Sequence, residues 1–158
     1  MNEKTDTRDL RDALGCYATG VTVVTTMTSE GPLGMTANSF ASVSLDPPLV
    51  LWSPARKSAR FPAFEAATHF AVHILGHDQE ALSRTFATTG LEGFKGLSYT
   101  KGLGDVPLLE GCSARLECVQ SAGHDGGDHL ILVGEVKRFE HSDIEPLIYH
   151  KGQYRALK

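Results

Sequence analysis

Apolar residues fall in short, closely spaced runs along most of the chain, and turn-forming residues break them, a rhythm that favours strands over helices. Residues 21–28 are β-branched almost throughout and predict a strand. Ser29-Glu30-Gly31-Pro32 then supplies a turn into a short second strand at 33–36. A third strand over 40–45 stops at Asp46-Pro47-Pro48, and a fourth over 49–53 stops at Pro54. Ahead of them, Leu10, Ala13, Leu14 and Tyr17 recur at helical spacing behind Thr5, Asp6 and Thr7, any of which can cap, so a helix is predicted near 7–18. Residues 58–67 read as a short helix, 69–75 as a strand, and 79–87 as a helix whose Leu82 and Phe86 face inward.

Residues 88–106 are Gly-rich and lack a clear period, as expected of a surface excursion of the kind often used as a lid or interface piece. Segments 114–122 and 128–140 flank Gly123-His124-Asp125-Gly126-Gly127, a strong hairpin signal because the glycines accept positive φ. Seven or so short strands with few helices predict a mostly β antiparallel barrel or sandwich, one domain over 1–158 with residues 1–7 flexible.

Length and charge narrow the functional classes. With 158 residues there is room for one ordinary domain, so a doubly wound dinucleotide domain joined to a substrate domain is excluded, and no G-x-G-x-x-G fingerprint follows a strand. Fifteen Lys and Arg stand against nineteen Asp and Glu, a formal net charge of −4, which offers no broad cationic face and makes nucleic acid an unexpected partner. Cys16, Cys112 and Cys118 share no C-x-x-C spacing and read as buried free thiols of a reducing cytoplasm. The polar N-terminus and the absence of an apolar run near ~20 residues predict a soluble, cytosolic chain without a membrane span.

Three constellations bear on chemistry. His69, His73 and His77 have a spacing that would serve a metal on a helix, but Phe70, Val72 and Ile74 mark a strand, on which His69 and His73 lie about 13–14 Å apart, so no metal site is expected. No G-x-S-x-G elbow surrounds any serine. The second constellation runs from Gly34-Met35-Thr36-Ala37-Asn38-Ser39-Phe40 to Ser53-Pro54-Ala55-Arg56-Lys57-Ser58. Its small polar residues either bring backbone groups, hydroxyls and an amide close to something flat or anionic, or simply form a polar edge strand and turn. Two adjacent cations and a potential N-cap serine before a helix near Ala59 make a phosphate site, against the alternative of a solvated Arg-Lys pair. The third is Asp128-His129, either an ordinary turn or, beside a redox cofactor, a hydrogen-bond donor titrating near neutral pH.

Five segments in order carry a resemblance. Gly20-Val21-Thr22-Val23-Val24-Thr25, Gly34-Met35-Thr36-Ala37-Asn38-Ser39-Phe40, Ser44-Leu45-Asp46-Pro47-Pro48-Leu49-Val50, Gly127-Asp128-His129 and Pro146-Leu147-Ile148-Tyr149 with Gly152-Gln153-Tyr154-Arg155 resemble the short-chain flavin reductase family, over almost the whole chain. Members of that family serve as reductase components of two-component flavin-dependent monooxygenases.

The resemblance implies a split β-barrel that binds FMN or FAD, works as a homodimer, and uses NADH or NADPH to reduce flavin for release to a partner oxygenase. By position, Thr36, Ala37, Asn38 and Ser39 would contact the isoalloxazine and ribityl chain, and Ser53, Arg56, Lys57 and Ser58 the flavin phosphate. His129 would sit beside the nicotinamide as the catalytic contact, with Tyr154 and Phe86 lining or covering the pocket. Three other readings stand beside this one: a non-reductase split-barrel protein that carries electrons or stores flavin, an oxidase of pyridoxamine-type phosphates, and a cofactor-free interaction module. The choices between FMN and FAD and between NADH and NADPH stay open, Gln153 standing where the family often has Arg.

Overall fold

The computed structural model describes residues 6–158. Helix α1 spans Thr7–Gly15, and the Asp6 carboxylate caps it by accepting from the Arg8 and Asp9 N–H groups. Of the segment expected to be flexible, residues 1–5 lie outside the described residues, while Asp6 and Thr7 belong to this cap and first turn. Twelve strands follow among the described residues: β1 Thr19–Gly20, β2 Thr22–Thr28, β3 Gly31–Ala37, β4 Ala41–Leu45, β5 Pro48–Trp52, β6 His69–Ile74, β7 Thr100–Lys101, β8 Pro107–Leu108, β9 Ala114–Gly126, β10 His129–His141, β11 Ile148–His150 and β12 Gln153–Arg155. Helices α2, Phe61–Ala66, and α3, Glu80–Thr88, lie between β5 and β7.

Seven strands form one antiparallel sheet in the order β3-β2-β6-β9-β10-β5-β4, and β1, β11 and β12 form a smaller one. This is a split barrel, mostly β with a few helices. The run in β2 is apolar on successive positions because the strand is covered on both faces. Val24 joins a core with Trp52, Phe64, Phe70 and Val72, whereas its neighbour Val23 joins a second core with Leu75, Phe86, Phe94 and Leu147. Thr22, Thr25 and Thr26 of β2 are buried as well, and the hydroxyls of the last two donate to carbonyls: Thr25 to Pro107 and Thr26 to His69.

Several expectations shift. The predicted 123–127 loop is a two-residue turn, Gly127-Asp128, because Gly123 and Gly126 pair with Leu132 and His129 and extend both strands. Gly127 takes the positive φ of 75° that this turn requires. Segment 88–106 is anchored rather than loose. Phe94 enters the second core, and the buried Glu117 carboxylate accepts from the Leu103 N–H at 2.7 Å. Of the three cysteines only Cys118 is buried, while Cys112 is half-buried and Cys16 exposed.

His73 is a core residue. Its Nδ1–H donates to the Val23 carbonyl at 2.9 Å and its Nε2 accepts from the Leu109 N–H at 3.0 Å, so both ring nitrogens are used and burial pushes its pKa down to about 4. No helix of the described residues is long and apolar enough to cross a membrane.

Candidate active site

The 36–39 segment leaves the end of β3 on the sheet's edge and runs from the C-terminal hairpin toward the tip of the β9–β10 hairpin. At its first residue the Thr36 hydroxyl donates to the Ser83 carbonyl at 2.6 Å, and the Ser83 hydroxyl shares a 2.7 Å hydrogen bond with the Tyr154 phenol. The Tyr154 ring meets Tyr149 edge-on, with centroids 5.4 Å apart, and carries the Arg84 guanidinium 4.9 Å from its centroid. The Ala37 carbonyl accepts from the Thr22 hydroxyl at 2.7 Å. Asn38 is exposed and borders a recess of about 890 Å³ shared with α1, Tyr17, Thr19, Tyr149 and Lys151.

At the far end, the Ser39 hydroxyl accepts from the Ser53 N–H at 2.9 Å and binds segment 36–39 to segment 53–58. The latter crosses the tip of the β9–β10 hairpin. Ala55 bridges His129, the Leu130 N–H donates to the Pro54 carbonyl, and the Arg56 N–H donates to the Asp128 carbonyl at 2.9 Å. Ser39, Ser53, Arg56, Lys57, Ser58 and His129 thus share one surface although they span ninety positions of sequence, as 129 − 39 gives.

The electrostatics of this surface differ from those of an open cationic spot. The Arg56 side chain donates from Nε to the Gly127 carbonyl at 3.0 Å and from Nη2 to the Asp125 carboxylate at 2.7 Å. Lys57 is exposed and has no carboxylate partner among the described residues. The His129 Nδ1 lies 2.7 Å from Asp128 Oδ1, and the imidazole beside it holds the Asp128 carboxyl below the usual carboxylate range. Lys57 adds to that lowering.

Two expected contributions are corrected. The helix near Ala59 begins instead at Phe61, spans six residues and has no side-chain cap, because Pro62 suits the first turn and residues 55–61 are taken up by tight turns. The Ser58 N–H donates to the Ala55 carbonyl and its hydroxyl accepts from the Arg60 N–H, so helix-end N–H groups do not converge on a phosphate. Phe86, expected to line or cover the pocket, is wholly buried between Gly34 and Gly93, where a Cβ built on either glycine would lie under 3 Å from its ring. It belongs to the core and leaves no surface for a ligand.

A model of the "Flavin reductase like domain" matches residues 14–158. The chain belongs to the flavin reductase family. This flavin reductase-like chain is 54% identical over 149 residues to "FMN reductase (NADH) SmoA" of Agrobacterium fabrum, covering 94% of itself and 85% of that protein. It is 46% identical over 148 residues to the reductase component of a flavin-dependent trigonelline monooxygenase from Acinetobacter baylyi, covering 93% of itself but only 48% of that longer protein. Among solved structures it superposes on the NADH:FAD oxidoreductase SgcE6 of Streptomyces globisporus, determined with NAD and FAD fragments, with a TM-score of 0.93, 37% identity and coverage of 100% of this chain and 96% of that one.

Two residues of this flavin reductase-like domain escape sequence reading. Ser83 is fully buried and couples Thr36 to Tyr154. Its signal is a polar residue three positions before Phe86 on the inward stripe of α3. Arg60 donates from Nη1 to the Gly34, Phe86 and Thr89 carbonyls, which pins the end of α3 to the site-bearing strand β3. Burial lowers its pKa, and its guanidinium is spent on backbone.

Proposed function

We propose that this chain is an NAD(P)H:flavin oxidoreductase that reduces FMN or FAD by direct hydride transfer and supplies the reduced flavin to a partner monooxygenase. The observation that carries the site assignment is the meeting of segments 36–39, 53–58 and 125–129 through the Ser39–Ser53 hydrogen bond and the Ala55–His129 bridge. The residues fit a flavin phosphate. Lys57 is a cation with no carboxylate partner among the described residues, it stands beside the hydroxyls of Ser53 and Ser58 in sequence, and Arg56 retains donors beyond those it has spent.

A flavin held there would supply the redox chemistry, with a nicotinamide as hydride source. The protein's residues bind, orient and exclude water. Thr36, Ala37, Asn38 and Ser39 present a low wall of backbone and small polar groups that a flat ring can approach. Thr36 is fixed by Ser83, and Ser39 by Ser53. Ser53, Arg56, Lys57 and Ser58 hold the phosphate. His129, held at Nδ1 by Asp128, leaves its other ring nitrogen for a polar contact beside the nicotinamide. Tyr154, braced by Ser83 and Arg84, stands at the Thr36 end of segment 36–39. No carboxylate pair or nucleophile is required, because both reacting groups belong to cofactors.

A second copy of the chain completes the site as a homodimer. Support comes from α1, which buries none of its residues against the rest of the chain and leaves Leu14 65% exposed, with Tyr17, just past its end, 80% exposed beside the recess bordered by Asn38. The three free thiols fit a reducing cytoplasm. The test is to mix purified protein with NADH or NADPH and FMN, FAD or riboflavin under air and follow the loss of reduced-nicotinamide absorbance. Flavin-dependent oxidation is expected, and its absence with both nicotinamides overturns the proposal.

A further inference from the structure

The geometry points to Asp125 as a built-in competitor for the flavin phosphate, a carboxylate that occupies the Arg56 guanidinium and keeps the flavin loosely held and exchangeable. This rests on the reading of segment 53–58 as the phosphate site. Asp125 sits at the tip of the β9–β10 hairpin, one residue before the end of β9, with its side chain 81% exposed. Its carboxylate lies 2.7 Å from Arg56 Nη2 and makes no other side-chain contact with a hydrogen-bonding group among the described residues.

The ion pair is not needed to aim the arginine. The Arg56 N–H is fixed by the Asp128 carbonyl at 2.9 Å and its Nε–H by the Gly127 carbonyl at 3.0 Å, and its guanidinium rests 5.8 Å from the centre of the Phe61 ring. With the backbone of the tip holding the main-chain N–H and the Nε–H of Arg56, what Asp125 adds is charge. The local balance makes that charge matter. Two cations, Arg56 and Lys57, face two carboxylates, Asp125 and Asp128, and Asp128 is already engaged by His129. An arriving phosphate dianion therefore meets a nearly neutral surface and competes with Asp125 for the guanidinium charge, sharing its donors or displacing the carboxylate.

Because the pair is exposed on both sides, the exchange is cheap in either direction. An Arg56 that always has a carboxylate to return to gives flavin a short stay, which suits an enzyme whose product is the reduced flavin itself. No covalent step is involved; one carboxylate–guanidinium contact is traded for a phosphate–guanidinium contact.

The experiment measures binding of FMN and of riboflavin, without nicotinamide, to the wild-type protein, Asp125→Asn and Asp125→Glu by isothermal titration calorimetry. Asn keeps the shape and an acceptor oxygen but removes the charge. Asp125→Asn is expected to bind FMN roughly two- to fivefold more tightly, the range set by an exposed ion pair, with riboflavin binding unchanged and Asp125→Glu close to wild type. Inorganic phosphate should compete with FMN more effectively in Asp125→Asn than in wild type. Unchanged or weaker FMN binding in Asp125→Asn, while wild type still prefers FMN over riboflavin, overturns the competitor role and leaves the phosphate site standing. Equal binding of FMN and riboflavin by wild type overturns the phosphate site itself and this inference with it.

Discussion

The Tyr154 hydroxyl lies 2.7 Å from the Ser83 hydroxyl, and the carbonyl of the same serine accepts from Thr36, so one buried residue of α3 ties the C-terminal hairpin to the edge strand that bears the proposed flavin contacts. The two bonds respond differently to substitution. Ser83→Ala removes only the link to Tyr154, because Thr36 uses the backbone. Ser83→Ala and Tyr154→Phe are each expected to lower stability by about 1 kcal/mol, and the double variant by clearly less than the sum, since both delete the same bond. Urea unfolding of the four proteins checks this. Full additivity would show the contact carries no energy.

The two adjacent cations are expected to act on the phosphate and not on the ring. Replacing Arg56 and Lys57 together by Ala should raise the apparent KM for FMN much more than that for riboflavin, which has no phosphate. Steady-state kinetics with both flavins decide it, and an equal loss for both contradicts the assignment.

For His129, the expected consequence lies in the hydride step. The ring is fixed at one nitrogen by Asp128 and stands beside segment 53–58 rather than within it. His129→Ala should slow reduction of bound flavin in stopped-flow experiments while flavin affinity stays nearly intact. An unchanged rate would remove His129 from the mechanism.

His73 makes stability depend on acid. Its folded-state pKa of about 4 lies below the ordinary 6.5, so the neutral ring favours folding. The contribution is present in full above pH 6.5 and is lost as pH falls through 6.5 toward 4, amounting to about 3 kcal/mol by linkage. Chemical denaturation at several pH values should show that slope, and His73→Gln should flatten it while lowering stability at neutral pH. A slope the variant retains in full must come from other groups.

The apolar surface of α1 and of Tyr17 just beyond it is expected to bind a second copy. Leu14→Glu combined with Tyr17→Ser should shift the protein from dimer to monomer in sedimentation and reduce flavin turnover, with the far-ultraviolet circular dichroism spectrum preserved because neither side chain is buried within the protomer. A wild-type protein that sediments as a monomer contradicts the assignment.

Most strands were legible because their information is local. β-branched runs, Pro and Gly punctuation and the glycines of the β9–β10 turn each act within a few residues. The start of α2 was not, since it depends on consecutive turns between Ala55 and Phe61. The helical spacing of α1 was plain, yet spacing alone does not say that the stripe would remain outside the protomer. At the site, the small polar residues of 36–39 and the Arg-Lys pair stood out by type. The burial of Phe86 by two glycines and the capture of Arg56 by Asp125 depend on partners 7 to 69 positions away and leave no local trace, while Ser83 shows only as a polar residue on the inward stripe of α3.

Trp52, the single tryptophan, is fully buried against Phe64 and Phe70, its indole N–H has no hydrogen-bond partner among the described residues, and it immediately precedes Ser53 of the proposed phosphate turn. The protein therefore carries its own optical gauge. Emission from one rigid, dry indole beside the site reports on flavin arrival and departure by energy transfer to the yellow chromophore, without a label and without turnover.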